Sequence, residues 1–194
     1  MQVALFPLSQ IVLPTGRMAL RVFEPRYQRL VKEAGKRPFA MALLNPFVNN
    51  DHPDRILPLV TLVQIIDFSQ LPDGLLGITV EGLQRLRIIK RWQEDDQLHV
   101  AECETQADWP ETPYTNADEQ LTTALQDVFA NNPALSALYP APAWQSVNWL
   151  VQRWLEILTM PVQLKARLIS HSDASLAQEL LRQWLTEQQE QPVN

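Results

Sequence analysis

The sequence predicts an α+β protein in which a β-rich amino-terminal part precedes a small helical bundle. Three observations point there. Through Glu104 the apolar residues alternate or run continuously, as strands do, whereas from Leu121 they recur at three and four positions, as buried helix faces do. All five glycines fall at or before Gly82, where turns are needed, leaving the later segments free to be continuous helices. Between the two regimes lies DWPETPYTN, Asp108 to Asn116, a polar, proline-bearing connection that sets the division at residues 1–112 and 113–194.

Each element has its own signal. Met18, Leu20 and Val22 alternate with Ala19, Arg21 and Phe23, which predicts a strand. EPRYQRLVKEAG places Pro25 in a first helical turn and Gly35 at a C-cap, giving the one helix of this half. FAMALLN, from Phe39, is a further short strand. LVTLVQIIDF is apolar on both faces and rich in β-branched residues, the mark of a central strand. GLLGITVEGLQRLRIIKRWQ supplies one or two strands with a bulge or bend at Gly82. The acidic EDDQ then turns the chain into LHVAECE, a hairpin.

In the second half, Leu121, Leu125, Val128 and Phe129 form one helical stripe, and Val147, Leu150, Val151, Trp154, Leu155 and Leu158 a second. Pro161 opens a short third helix. Ser172 or Asp173 caps a fourth, whose stripe is Leu176, Leu180, Leu181, Trp184 and Leu185. The polar tail EQQEQPVN is expected to fray.

Composition narrows the function classes. The net charge of −6 weighs against nucleic acid as the partner, since such binders carry a large basic face. A single cysteine, Cys103, rules out an intramolecular disulfide framework and points to a reducing compartment. The amino terminus lacks the basic region and cleavage site of a signal peptide, and no apolar run is long enough to span a bilayer. A cytoplasmic protein without a membrane partner is therefore expected.

The chain offers little for catalysis. GITVEGLQ has the glycine spacing of a phosphate loop, but Leu83 stands where a lysine is required. His52, His99 and His171 are scattered; His99 and Cys103 share a strand face, yet no third ligand accompanies them. The contiguous SHSD, Ser170 to Asp173, cannot form a relay and reads as a helix cap. Cys103 sits among glutamates rather than in the electropositive setting that activates a thiol. No catalytic residue, metal site or cofactor is expected.

The basic segment remains. Residues 17–37 hold seven lysines and arginines against two glutamates. On a helix from Pro25, Arg29, Lys32 and Lys36 make one basic stripe, opposite a core stripe of Tyr27, Leu30, Val31 and Ala34. This pattern reads first as the polar side of a packed helix, and alternatively as a patch that attracts an acidic partner.

Taken together, four blocks resemble the amino-terminal substrate-recognition domain of the Lon protease family. They are LFPLSQIVLPTGRMALRVFEPRYQRLV, RPFAMALLN, GITVEGLQRLRI and WLEILTMPVQLKARLISHSDASLAQELLRQWL, and they span nearly the whole chain. The resemblance implies a PUA-like β-barrel followed by a helical bundle. It carries neither the ATPase module nor the Ser–Lys protease domain of a full Lon protease, so the expectation is a protein similar to the stand-alone bacterial members. Such a protein would be a non-catalytic binder of unfolded or client protein segments, or of another protein, in quality control. The alternatives are a small-ligand binder or enzyme using a cleft between barrel and bundle, and an RNA-binding PUA-like protein. Candidate binding residues are Arg21, Arg26, Tyr27, Arg29, Lys32 and Lys36. At the strand-to-helix corner Arg21 is expected to pair with Glu24, with Arg26 folding back toward the barrel or bundle; Arg29, Lys32 and Lys36 are expected to form an exposed stripe.

Overall fold

The computed structural model describes residues 1–50 and 52–190, with side chains through Glu187. The protein is α+β: among the described residues it has one six-stranded sheet and six α-helices. Two compact units divide at Ala107 and Asp108.

In the first unit, β1 is Gln2–Leu8, β2 Arg17–Val22, α1 Pro25–Glu33, β3 Phe39–Leu44, β4 Ile56–Gln70, β5 Leu76–Gln93 and β6 His99–Thr105. The strands run in the order β2-β5-β4-β3-β1-β6, and β6 pairs again with β5. Five strands therefore close into a circuit, with β2 held outside it on β5. That circuit works because β5 is one continuous strand of 18 residues, long enough to pair with β4 and β2 in its first part and β6 in its last.

β1 is the strand that alternation does not disclose. Val3 and Leu5 enter one apolar cluster with Ala40 and Ala42, while Ala4 and Phe6 enter another with Phe39 and Met41. Buried on both faces, β1 and its parallel partner β3 read as plain apolar runs. Helix α1 lays Tyr27, Leu30 and Val31 on the second cluster. It stops at Glu33 with Ala34 as its C-cap, one position before the glycine expected there.

Gly82 combines a bulge with a close approach. The β4–β5 register shifts between Leu62 and Val63 opposite it. The loop after β1 crosses its backbone: Thr15 N donates to Gly82 O, and Gly82 N donates to Gly16 O, both at 2.8 Å. A β-carbon here would collide with the carbonyl oxygen of Leu13, so only glycine fits.

The second unit contains α2 Glu119–Ala130, α3 Pro133–Ala137, α4 Val147–Ile157, α5 Val162–Ile169 and α6 Ser175–Glu190. The short α3 has no apolar period to reveal it; Asn132 starts it by accepting from Leu135 N, with Pro133 at its first position. Asp173 Oδ1 accepts from Ser175 N at the head of α6. The first residues of the polar tail belong to α6, and the remainder lies outside the described residues. Asp118, at the head of α2, accepts from Gln178 Nε2 at 2.6 Å and Arg182 Nη2 at 2.7 Å, which ties α2 to α6. Phe129, Tyr139, Trp144 and Trp149 form an aromatic cluster with centroid spacings from 5.2 to 6.1 Å.

Candidate functional site

The strand-to-helix corner opens onto a groove of about 500 Å³ that lies wholly within the first unit. Its floor is apolar: Phe6, Pro7 and Leu8 from the end of β1, Leu44 from the end of β3, and Ile56 from the start of β4. Tyr27 stacks on Phe6 at 4.3 Å between centroids, closing the floor against α1. Phe23 stands at one wall with 60% of its surface exposed, an apolar ring left open to solvent at the groove's edge.

Polar groups rim this floor. Arg26 donates to Glu24 Oε2 at 2.9 Å from Nε and to the Gln97 carbonyl at 3.2 Å from Nη1. Its guanidinium carbon lies 4.8 Å from the centre of the Tyr27 ring, so the side chain is fixed from three sides. Arg55 Nη1 donates to the carbonyl of Asn45 at 2.6 Å and to that of Val48 at 3.3 Å. Those acceptors are neutral, so they orient the guanidinium without cancelling its charge.

Arg21 also reaches the groove, but it pairs with Asp73 rather than with Glu24. The turn between β4 and β5 brings Asp73 up beside β2; Glu24 turns the other way, to Arg26. The remaining wall is Gln93, Gln97 and His99. Burial first, and then the nearby charges of Arg91 and Arg26, together push the His99 imidazole down to about 4, so the ring is neutral at physiological pH. Among the lining residues are three arginines, one carboxylate and no serine or cysteine. This surface can hold apolar side chains and accept carbonyl or carboxylate oxygens; it does not assemble a nucleophile with a base.

The expected site residues thus separate. Arg21, Arg26 and Tyr27 come together in the groove. Arg29 does not form an exposed stripe with the two lysines: it donates to Asp96 from Nε at 2.7 Å and also pairs with Glu94 and Glu33. The hydrogen bonds that Arg29 donates to Asp96, and then to Glu94, raise its guanidinium above its ordinary value. Lys32 and Lys36 remain exposed, near the end of α1 and away from the groove. Phe6, Phe23, Arg55 and His99 escape sequence reasoning as site residues, because they meet only when distant strands pair.

Among the described residues no group of three or more His, Cys, Asp or Glu could hold a metal ion, and no helix is long and apolar enough to cross a membrane. Burial pushes the Cys103 thiol up to about 11, which keeps it protonated.

A family model described as the ATP-dependent protease La (LON) substrate-binding domain matches residues 2–186. Among solved structures, the chain is similar to a Lon N-terminal domain protein from Xanthomonas campestris, at 25% identity and a TM-score of 0.72, over 95% of this chain and 98% of that one. It shares its fold with the N-terminal domain of the Mycobacterium avium complex Lon protease, at 14% identity and a TM-score of 0.66, over 96% and 99%. A Lon protease from Nitratidesulfovibrio vulgaris is 30% identical over 87 residues, which is 44% of this chain but only 10% of that relative.

Proposed function

The chain belongs to the Lon substrate-binding domain family, and from that premise we propose that it is a non-catalytic module that binds exposed segments of client proteins. The observation that carries this reading is the groove beside Phe23. An unfolded segment presents apolar side chains together with unsatisfied backbone carbonyls. An apolar floor edged by fixed guanidinium donors offers a partner for both.

In this reading residues 1–112 form a PUA-like barrel, supported by the closed strand circuit, and residues 113–194 a helical bundle. The setting is cytoplasmic protein quality control, where a recognition module works alongside proteolysis. Arg21, Arg26 and Tyr27 contribute to client binding, with Arg55 and Phe23 added to them.

Fluorescein-labelled casein, a largely unfolded chain, provides the test. Its binding, followed by fluorescence anisotropy, is expected to weaken by about tenfold in Phe23→Asp, as for loss of a central aromatic contact. The melting temperature should stay unchanged, because Phe23 already faces solvent. No saturable binding by the wild type, or equal binding by the variant, would overturn the assignment.

A second reading is favoured by the surplus of arginine over carboxylate in the groove: a small anionic ligand occupying the same floor. Such a ligand would compete with casein and would be released by raising salt, whereas an apolar segment would be held.

A further inference from the structure

A second surface, distinct from the groove beside Phe23, carries its own reading. β3 pairs with β4 only as far as Val63, opposite Phe39. Beyond that point, from Gln64 to Gln70, β4 pairs with β5 on one side alone. Among the described residues, no backbone hydrogen bond crosses to its other edge. Seven residues of strand edge are therefore open, past the stretch of β4 that the circuit consumes.

Beside that edge runs a cleft of about 390 Å³, floored by Val31, Pro38, Phe39, Val63 and Ile65 and lined by no charged side chain. The register explains its apolar character. Ile65 lies opposite Val80 and Phe68 opposite Ile78, with Ile66 bulged out between them. Phe68 therefore continues the face of the strand that is core further back, past the point where α1 covers it. It is 60% exposed, and Leu83 at the other border of the cleft is 42% exposed.

Charge selects the occupant. Lys32 and Lys36 flank the cleft-lining Ala34 and Gly35 in sequence, are exposed, and have no carboxylate partner among the described residues. A second copy of this chain fits poorly. Antiparallel two-fold pairing of Gln64–Gln70 centres on residue 67 and sets Asp67 against its own copy, and like charges directly opposite are destabilising.

We propose that the free edge Gln64–Gln70 and the adjoining cleft bind an extended segment of another protein by strand addition. That segment has apolar residues at alternate positions and acidic residues at the end nearest the α1 terminus. Main-chain hydrogen bonds supply sequence-tolerant affinity, the cleft takes alternate side chains, and Lys32 and Lys36 fix which end carries the acid. Asp67 lies three residues beyond Gln64 along β4, roughly 10 Å at strand rise, and excludes acid from the middle of the segment.

The test uses the full chain and a fluorescein-labelled peptide with two glutamates followed by alternating valine and threonine, and its counterpart with lysines for the glutamates. The acidic peptide is expected to bind about tenfold tighter than the basic one at low salt, with the preference lost in Lys32→Glu/Lys36→Glu. Phe68→Lys, at an already exposed position, should lose binding of the acidic peptide while melting as the wild type does. Phe23→Asp should keep it, which separates this surface from the groove. Amide hydrogen exchange should slow across Gln64–Gln70 when the peptide is bound. Equal affinity for both peptides, undiminished binding by Phe68→Lys, absent protection along this edge, or no binding would each overturn the proposal. So would a concentration-dependent dimer abolished by Phe68→Lys, which would assign the edge to a second copy.

Discussion

Arg29 on α1 donates from Nε to Asp96 Oδ2 at 2.7 Å, joining residues 67 positions apart in sequence. Arg37, just beyond the same helix, donates to Glu94 Oε1 at 2.7 Å, and Glu94 also pairs with Arg29. The acidic turn between β5 and β6 thus clasps the end of α1, which explains why a sequence rich in arginine leaves so little free basic charge here. The Arg29 side chain is 34% exposed, so screening limits its worth, and Arg29→Ala should cost about 1 kcal/mol. Hydrogen bonds from Arg37 and then Arg29 hold the Glu94 carboxyl below its ordinary value of 4.5. A depressed carboxylate stabilises the fold above its unfolded pKa and loses that contribution as pH falls through the folded one. Chemical denaturation from pH 6 to 3 should therefore show a decline below about pH 4.5 that is shallower in Arg29→Ala.

Asp118 is the corresponding tie in the helical unit, with a fully buried side chain. Burial alone would raise its carboxyl, but Gln178, Arg182 and Thr115 outweigh that and keep it below its ordinary value of 3.8. Asp118→Ala would strand the buried amide of Gln178 and remove the link between α2 and α6. The expected cost is about 2–4 kcal/mol, read as a fall in the urea midpoint. Asp118→Asn, which can still accept one hydrogen bond, should cost less. Equal losses would contradict the role of the charge.

Gly82→Ala should destabilise by about 2–4 kcal/mol, because the new methyl meets the backbone of Leu13, which cannot swing aside like a side-chain tip. Gly35→Ala is the control: a β-carbon there meets nothing within 4 Å. Thermal melts of the two variants should differ clearly.

His99 should titrate near 4 when its imidazole carbon resonance is followed by NMR. Because the folded value lies below the ordinary 6.5, neutral His99 stabilises the fold above pH 6.5, and that contribution drains away as pH falls toward 4. A midpoint near 6.5 would mean that the ring is open to water and that the groove wall is not as described.

The order of elements was legible because periodicity records burial. β2, β6 and the four longer apolar-striped helices each bury one face in a regular way, while β3 and β4 show as apolar runs bounded by polar or turn residues. β1 shows no alternation because it is buried on both sides and carries Pro7, and α3 is too short to complete a stripe. β5 looked divisible at Gly82, yet the bulge there bends the strand without ending it. The site was legible only in part. Arg21, Arg26 and Tyr27 lie close in sequence and end close in space. Arg29 did not reveal that Asp96 and Glu94 would meet it, because that encounter depends on how β5 and β6 return to α1. Arg55, whose orientation comes from two backbone carbonyls, leaves no pattern in the sequence.

The most direct test of the central claim is residue-level mapping of where an unfolded chain sits. Amide chemical shifts of the full protein, titrated with casein, should move in a saturable way at Leu8, Phe23, Arg26 and Arg55, and those shifts should vanish in Phe23→Asp. Saturable binding with these four residues unmoved would contradict the account, as would no binding at all.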